Sequence, residues 1–77
     1  MGGDGGGPVL HPIESGALEA AGYDLATRVL RIRFVDGGTY DYRDVAPELF
    51  ARLVAEQPHP WSLLGDEIRA HHFTRVD

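Results

Sequence analysis

The segment spanning residues 28–43 is the feature that most constrains the fold. Apolar residues alternate with arginines from Leu30 to Phe34, and Tyr40 and Tyr42 then alternate with polar residues. Alternation with a period of two is typical of strands that bury one face. Glycines lie between the two arms and indicate a turn, so the segment is predicted to form a β-hairpin.

The length of the turn decides which side chains share a face of the hairpin. A two-residue loop at residues 37–38 would put the two apolar sets on opposite faces. A three-residue loop from Asp36 to Gly38 puts them on one face. It sets Phe34 opposite Tyr40, and Gly38 supplies the positive φ angle that such a loop needs at its last residue. We therefore predict the three-residue loop, with both tyrosine rings pointing into the core.

Size and composition place the chain among small single domains. It has 77 residues, no cysteine and a formal net charge of −5, so neither disulfides nor thiolate-bound zinc can stabilise it. No apolar run approaches the roughly 18 residues of a membrane span, and no signal-peptide pattern is present. We expect a cytoplasmic protein with no membrane association and no cofactor. The negative charge argues against a general nucleic-acid binder.

The amino-terminal part is predicted to contain a tail and a first strand. Residues 1–12 are rich in glycine and are expected to form a flexible tail, with the folded domain at residues 13–77. The stretch from Ile13 to Tyr23 fits either a weak helix or an edge strand. Because two strands alone are marginal, we favour a strand from Leu18 to Tyr23. Which of its side chains point towards the helices stays open.

After Arg43 the apolar spacing becomes helical. One helix is predicted to begin at Pro47 and to end before Pro58, and a second is predicted to begin at Pro60, with Gly65 allowing close contact with the sheet. A short strand is expected at residues 73–76. The predicted fold is therefore α+β: a small antiparallel sheet of three to four strands in the order β-β-β-α-α-β, with the helices packed on one face.

The same residues carry a family resemblance. The matching pattern comprises Gly22-Tyr23-Asp24, Leu30-x-Ile32-x-Phe34, Gly38-x-Tyr40-x-Tyr42, Val45-x-Pro47 and Ile68-Arg69. It resembles the KTSC domain over roughly residues 15–73. This family occurs at the carboxyl terminus of some lysyl-tRNA synthetases and as a small stand-alone bacterial protein. The resemblance carries over no assigned activity, and the synthetase context suggests RNA binding.

Two positions depart from the family pattern. The family's second serine after Ser15 is Gly16 here, and a Ser-x-Gly stretch between the helical regions is replaced by residues 57–61. If the replaced stretch is a binding loop in the family, its role does not carry over to this chain.

Three arginines form the candidate nucleic-acid site. In the predicted register Arg31, Arg33 and Arg43 lie on the sheet face away from the helices, and Arg31 faces Arg43. Like charges placed opposite each other favour a bound anion, which makes RNA or an acidic partner a candidate. Asp41 would face Arg33, however, and a charged strand face is usually a solvated one.

Aromatic residues give the alternative function. Tyr40 and Tyr42 have the spacing that stacks single-stranded nucleic acid on a sheet, but the predicted hairpin makes them core residues. Trp61 follows two prolines and is either a core residue or an anchor for a protein partner. The alternative to an RNA-associated accessory module is thus a protein–protein interaction module that uses Trp61 or a sheet edge.

Catalysis and metal binding have weaker support. Glu67 and His71 share a helix face and His72 is adjacent, but a metal site would need a further ligand. Ser15 and Ser62 lie in no nucleophile motif. We therefore expect a non-enzymatic module without a metal.

Overall fold

The structure is a computed structural model that describes residues 7–77. Its elements run in the order β-β-β-β-α-α-β. Their bounds are β1 (His11–Pro12), β2 (Leu18–Asp24), β3 (Val29–Phe34), β4 (Thr39–Tyr42), α1 (Pro47–Ala55), α2 (Pro60–Arg69) and β5 (Phe73–Arg75).

The strands form one antiparallel sheet in the order β1-β2-β3-β4-β5. Each strand pairs with its neighbour in sequence, and both helices are inserted between β4 and β5. The α+β class is confirmed. The sheet has five strands rather than three to four, because β1 was not foreseen and β5 joins the same sheet.

The core lies between the two helices and one face of the sheet. Its buried side chains are Leu18, Ala21, Leu30, Ile32, Tyr42, Val45, Leu49, Leu53, Leu64 and Ile68. Both helices begin at the predicted prolines, whose missing N–H is not needed in the first turn. The facing of β2 is now determined, since Tyr23 stacks on Phe50 with ring centroids 5.4 Å apart and donates its hydroxyl to the Val45 carbonyl.

The hairpin register differs from the prediction by two residues. Ile32 faces Tyr40 and Leu30 faces Tyr42. The loop has three residues, as predicted, but they are Val35 to Gly37, and the positive φ of 109° belongs to Gly37 rather than to Gly38. The apolar residues still share one face, because a shift by two residues preserves the alternation.

The amino-terminal residues of the described range pack on the sheet. His11 and Pro12 form β1 and pair with β2, although residues 1–12 were predicted to be a flexible tail; residues 1–6 lie outside the described range. Val9 lies directly on Gly22, on the sheet face away from the helices. A Cβ atom at Gly22 would come within 2.8 Å of the Val9 carbonyl carbon. Glycine is therefore required at residue 22 for this close approach.

Gly65 also permits a close contact, but not the predicted one with the sheet. A Cβ atom there would lie 3.0 Å from Cε2 of Trp61, so this glycine accommodates the indole ring of its own helix.

Candidate binding site: an aromatic groove

The three predicted arginines lie on the sheet face away from the helices, but they do not form a cluster of unbalanced charge. Arg31 faces Asp41 and not Arg43, so the prediction of like charges in opposition is wrong. The Arg31 guanidinium donates to both carboxylate oxygens of Asp41, at 2.7 Å from Nε and 3.0 Å from Nη2. It also donates to the carbonyl of Pro8 at 3.3 Å.

The remaining two arginines have different surroundings. Arg33 faces Thr39, and its Nε donates to the threonine hydroxyl at 3.3 Å. Arg43 is exposed beyond the end of β4. The hydrogen bonds of Arg31 to Asp41 raise the pKa of the guanidinium, and the ion pair offsets the charge of this arginine. The argument for an anion that rested on Arg31 facing Arg43 is thereby removed.

Both tyrosines of the family pattern point to the helical side of the sheet, as predicted. Tyr42 is buried, whereas Tyr40 is half-buried. Burial, followed by the proximity of Tyr40, raises the pKa of the Tyr42 phenol, and the charge of Arg69 lowers it in part. Gly38 lies against Tyr40, since a Cβ atom on it would come within 2.9 Å of the ring carbon Cε1.

An aromatic groove opens between α2 and the β4–β5 edge of the sheet. It has a volume of 470 Å³ and is lined by Phe34, Asp36, Tyr40, Tyr42, Trp61, Arg69 and Phe73. Five of these side chains are aromatic. They come from the hairpin, from α2 and from β5, so the groove exists only when these elements are assembled.

The rings in the aromatic groove meet edge to face. Phe34 is nearly perpendicular to Trp61, at 82° with centroids 5.1 Å apart, and stands at 75° to Tyr40 with centroids 5.7 Å apart. Phe73 contacts Tyr40 at 5.8 Å and 70°, and is tilted at 41° to Tyr42. Edge-to-face contacts of this kind are favourable arrangements of aromatic pairs.

Two arginines lie over rings of the groove. The Cζ atom of Arg69 is 5.7 Å from the Trp61 ring and that of Arg75 is 5.9 Å from the Tyr40 ring, both within cation–π range. Each guanidinium also bonds a carboxylate: Arg69 pairs with Asp66, and Arg75 pairs with Asp77 at 3.1 Å.

Sequence reasoning singled out Trp61 but missed most of its neighbours. Trp61 is half-buried and lines the aromatic groove. Its role as an anchor for a protein partner stays a prediction. Phe73 faces Tyr42 across the β4–β5 ladder, a pairing that the alternation within β5 could have indicated. The proximity of Asp36 and Arg69 has no signal in the sequence, because a turn and a helix end bring them together.

A larger groove of 570 Å³ lies at the junction of the two helices. Its lining includes Gly16 and residues 57–59, so the two departures from the family pattern face one another. The backbone N–H of Glu14 donates to Oε1 of Gln57 at 2.7 Å across this junction. Despite its larger volume, this groove lacks the aromatic surfaces that anchor ligands, and we regard the aromatic groove as the candidate site.

Other candidate features are less developed. In residues 7–77, no group of three or more histidine, cysteine, aspartate or glutamate side chains is arranged to hold a metal ion. Nδ1 of His71 instead lies 3.0 Å from the Glu67 carbonyl oxygen and 3.2 Å from that of Ile68.

The two helices in the described range are too short to cross a membrane as an apolar span.

Comparison with known proteins places this fold in a family. Residues 14–71 match the family model described as the KTSC domain. A protein from Tsukamurella paurometabola is 50% identical over 48 residues, which are 62% of this chain and 72% of the relative. The crystal structure of a KTSC domain protein from Yersinia pestis superposes with a TM-score of 0.82 at 21% identity, covering 90% of this chain and 97% of that one. The chain belongs to the KTSC domain family.

Proposed function

We propose that this KTSC domain is a non-catalytic module that binds a peptide segment of another protein in the aromatic groove. The observation that carries the proposal is the convergence of five aromatic side chains on a groove of 470 Å³. Phe73 is 50% exposed there, and Trp61, Phe34 and Tyr40 are only partly buried. Tryptophan and tyrosine are enriched among residues that dominate binding energy at protein interfaces.

The charge of the chain favours a protein partner over RNA. The net charge is −5, and both guanidiniums over the groove rings already bond carboxylates. Binding to a phosphate backbone depends on accumulated positive charge. RNA binding through Arg31, Arg33 and Arg43 stays a prediction, and the pairing of Arg31 with Asp41 weakens the reason for it.

Selection from a random 12-residue peptide display library tests the proposal. Selected peptides are synthesised with a fluorescent label, and their affinities are measured by polarisation. Trp61 is the single tryptophan of the chain and lines the groove, so its fluorescence reports binding at this place.

A matched pair of variants locates the binding. Phe73→Ser removes a ring from the groove, whereas Leu63→Ser alters another exposed apolar residue, on α2 but outside the lining. We expect Phe73→Ser to weaken binding about tenfold, the effect of losing roughly 1.4 kcal/mol of contact, and Leu63→Ser to leave it unchanged. Equal binding by both variants, or the absence of selected peptides, contradicts the proposal.

A parallel titration with RNA distinguishes a protein partner from an RNA partner. Labelled tRNA is titrated into the wild type and into Arg33→Ala/Arg43→Ala at two salt concentrations. Salt-dependent binding that this double substitution weakens, together with no selected peptide, would support the RNA prediction in place of ours.

A further inference from the structure

The faces of the groove rings attract guanidinium groups within the chain itself. Arg69 lies over Trp61 and Arg75 lies over Tyr40, from α2 and β5 respectively. The face of an aromatic ring carries the negative part of its quadrupole, so it is attractive to cations. Two such contacts at one groove identify the kind of group that its surface accommodates.

The groove also has a ring surface that is open to solvent. Phe34 stands nearly perpendicular to both Trp61 and Tyr40, so the rings of the groove differ in orientation. Phe73, which lines the groove, is 50% exposed. An exposed ring face attracts a planar cation, and the apolar stem of the cation can pack against neighbouring rings.

The carboxylates around the groove complement a positive ligand. Asp36 lies in the turn between β3 and β4, is exposed and lines the groove. The pKa of Arg75 is raised, mainly by its hydrogen bond to Asp77 and in smaller part by Tyr40 and by the charge of Asp36, so the Asp36 charge reaches this edge of the groove. Arg69 and Arg75 are each offset by their own carboxylate partner. With Asp66 and Asp77, Asp36 makes three carboxylates beside two guanidiniums at this groove, a balance that favours a positive ligand.

We propose that the peptide side chain bound in the aromatic groove is an arginine. Its guanidinium stacks on the half-exposed ring of Phe73 beside Tyr40, and Asp36 balances its charge. This inference rests on the proposed peptide-binding function. Arginine fits better than lysine because a guanidinium is planar, stacks on aromatic faces and is more weakly hydrated than an ammonium group. The net charge of −5 favours the approach of a basic segment.

Two small probes of nearly equal size but different charge test the arginine preference. N-acetyl-arginine amide and N-acetyl-citrulline amide have nearly the same shape, but the second is neutral. Each is titrated to millimolar concentration against the isotope-labelled chain, and the NMR signal of the Trp61 indole N–H is followed. We expect the arginine amide to bind about fivefold more tightly, the size of an exposed cation–π contact plus a charge interaction.

Charge-matched variants identify the carboxylate. Asp36→Asn is expected to weaken binding of the arginine amide about threefold, the size of a partly exposed ion pair. Glu56→Gln removes the same charge at the exposed end of α1, outside the lining, and should have no effect. Equal shifts from both amides, or equal binding by both variants, overturn the inference.

Failure of this inference differs from failure of the proposed function. If display selects peptides whose binding requires Phe73, but they lack arginine and citrulline replaces arginine without loss, the peptide-binding function stands and the arginine preference is refuted. If no peptide is selected and neither amide shifts the Trp61 signal, both are refuted.

Discussion

Arg31 and Asp41 form a two-point ion pair across the β3–β4 ladder, and both side chains are largely shielded, at 21% and 18% exposure. Its geometry is bidentate, with each carboxylate oxygen accepting one N–H bond. Such pairs are stronger and more specific than single surface contacts. This pair is made by the observed register of the hairpin, and it neutralises one of the three arginines that had suggested an anion.

Asp41→Asn should therefore destabilise the fold by about 1–2 kcal/mol, because it leaves a shielded guanidinium without its counter-charge. The matched control is Glu67→Gln, which breaks the exposed pair with Arg52 at 3.2 Å. That change should cost less than about 1 kcal/mol. Urea unfolding followed by circular dichroism measures both. Equal losses would mean that the Arg31–Asp41 pair behaves as an ordinary surface contact.

Gly22→Ala should cost about 1–3 kcal/mol, because the new methyl group overlaps the Val9 backbone. The control is Gly16→Ala, where a Cβ atom meets nothing within 4 Å. Thermal unfolding compares the two substitutions. In a chain shortened to begin at residue 11, the cost of Gly22→Ala should fall, since Val9 is gone; an unchanged cost would rule out this contact as the cause.

Gly37→Ala and Gly38→Ala should both destabilise the hairpin, but for different reasons. At Gly37 the cost, about 1 kcal/mol, comes from the φ angle of 109°. At Gly38 it comes from the Tyr40 ring, 2.9 Å from the new Cβ atom. Tyr40→Val should therefore reduce the cost of Gly38→Ala and leave that of Gly37→Ala unchanged. Denaturant unfolding of the three single and two double variants checks this, and rescue of Gly37→Ala by Tyr40→Val would contradict it.

The stability of the domain should decline at alkaline pH. The raised pKa of Tyr42, caused first by burial, means that the unfolded state loses its phenol proton before the folded state does. Stability is thus fully present below about pH 10 and falls as the pH rises through the folded-state pKa. Urea unfolding at about pH 9 and about pH 11 should show a smaller loss for Tyr42→Phe than for the wild type. An identical loss in both proteins would assign the alkaline effect to other groups.

Much of the fold prediction rested on interactions between residues that are close together in the chain. Prolines at residues 47 and 60 begin the helices because both their fixed φ and their missing N–H suit a first turn. Asp24 accepts the N–H of Ala26 at 2.9 Å, which closes the turn between β2 and β3. Each of these features depends on residues close together in the chain, so a sequence can specify it directly.

The register of the hairpin could not be predicted from local chemistry alone. Alternation required the tyrosines to share a face with Leu30 and Ile32, and they do. Two positions of a three-residue loop, residues 35–37 and residues 36–38, satisfy that requirement, however. Each of these loops has a glycine as its last residue. The observed frame has the Val35 N–H bonded to the Ala17 carbonyl and Arg31 bonded to Asp41. These contacts involve another strand and a particular register, so they are not readable from the turn itself.

The sequence by itself determined which residues face inward, because strand and helix periodicities follow from backbone geometry. It also determined where the helices begin. Only the tertiary structure decided which residue faces Arg31 across the hairpin and where residues 7–12 lie on the sheet. It also decided that Phe73 and Trp61 line the same groove. Those outcomes depend on how distant segments pack, and packing between elements is set by the whole assembled core rather than by any local pattern.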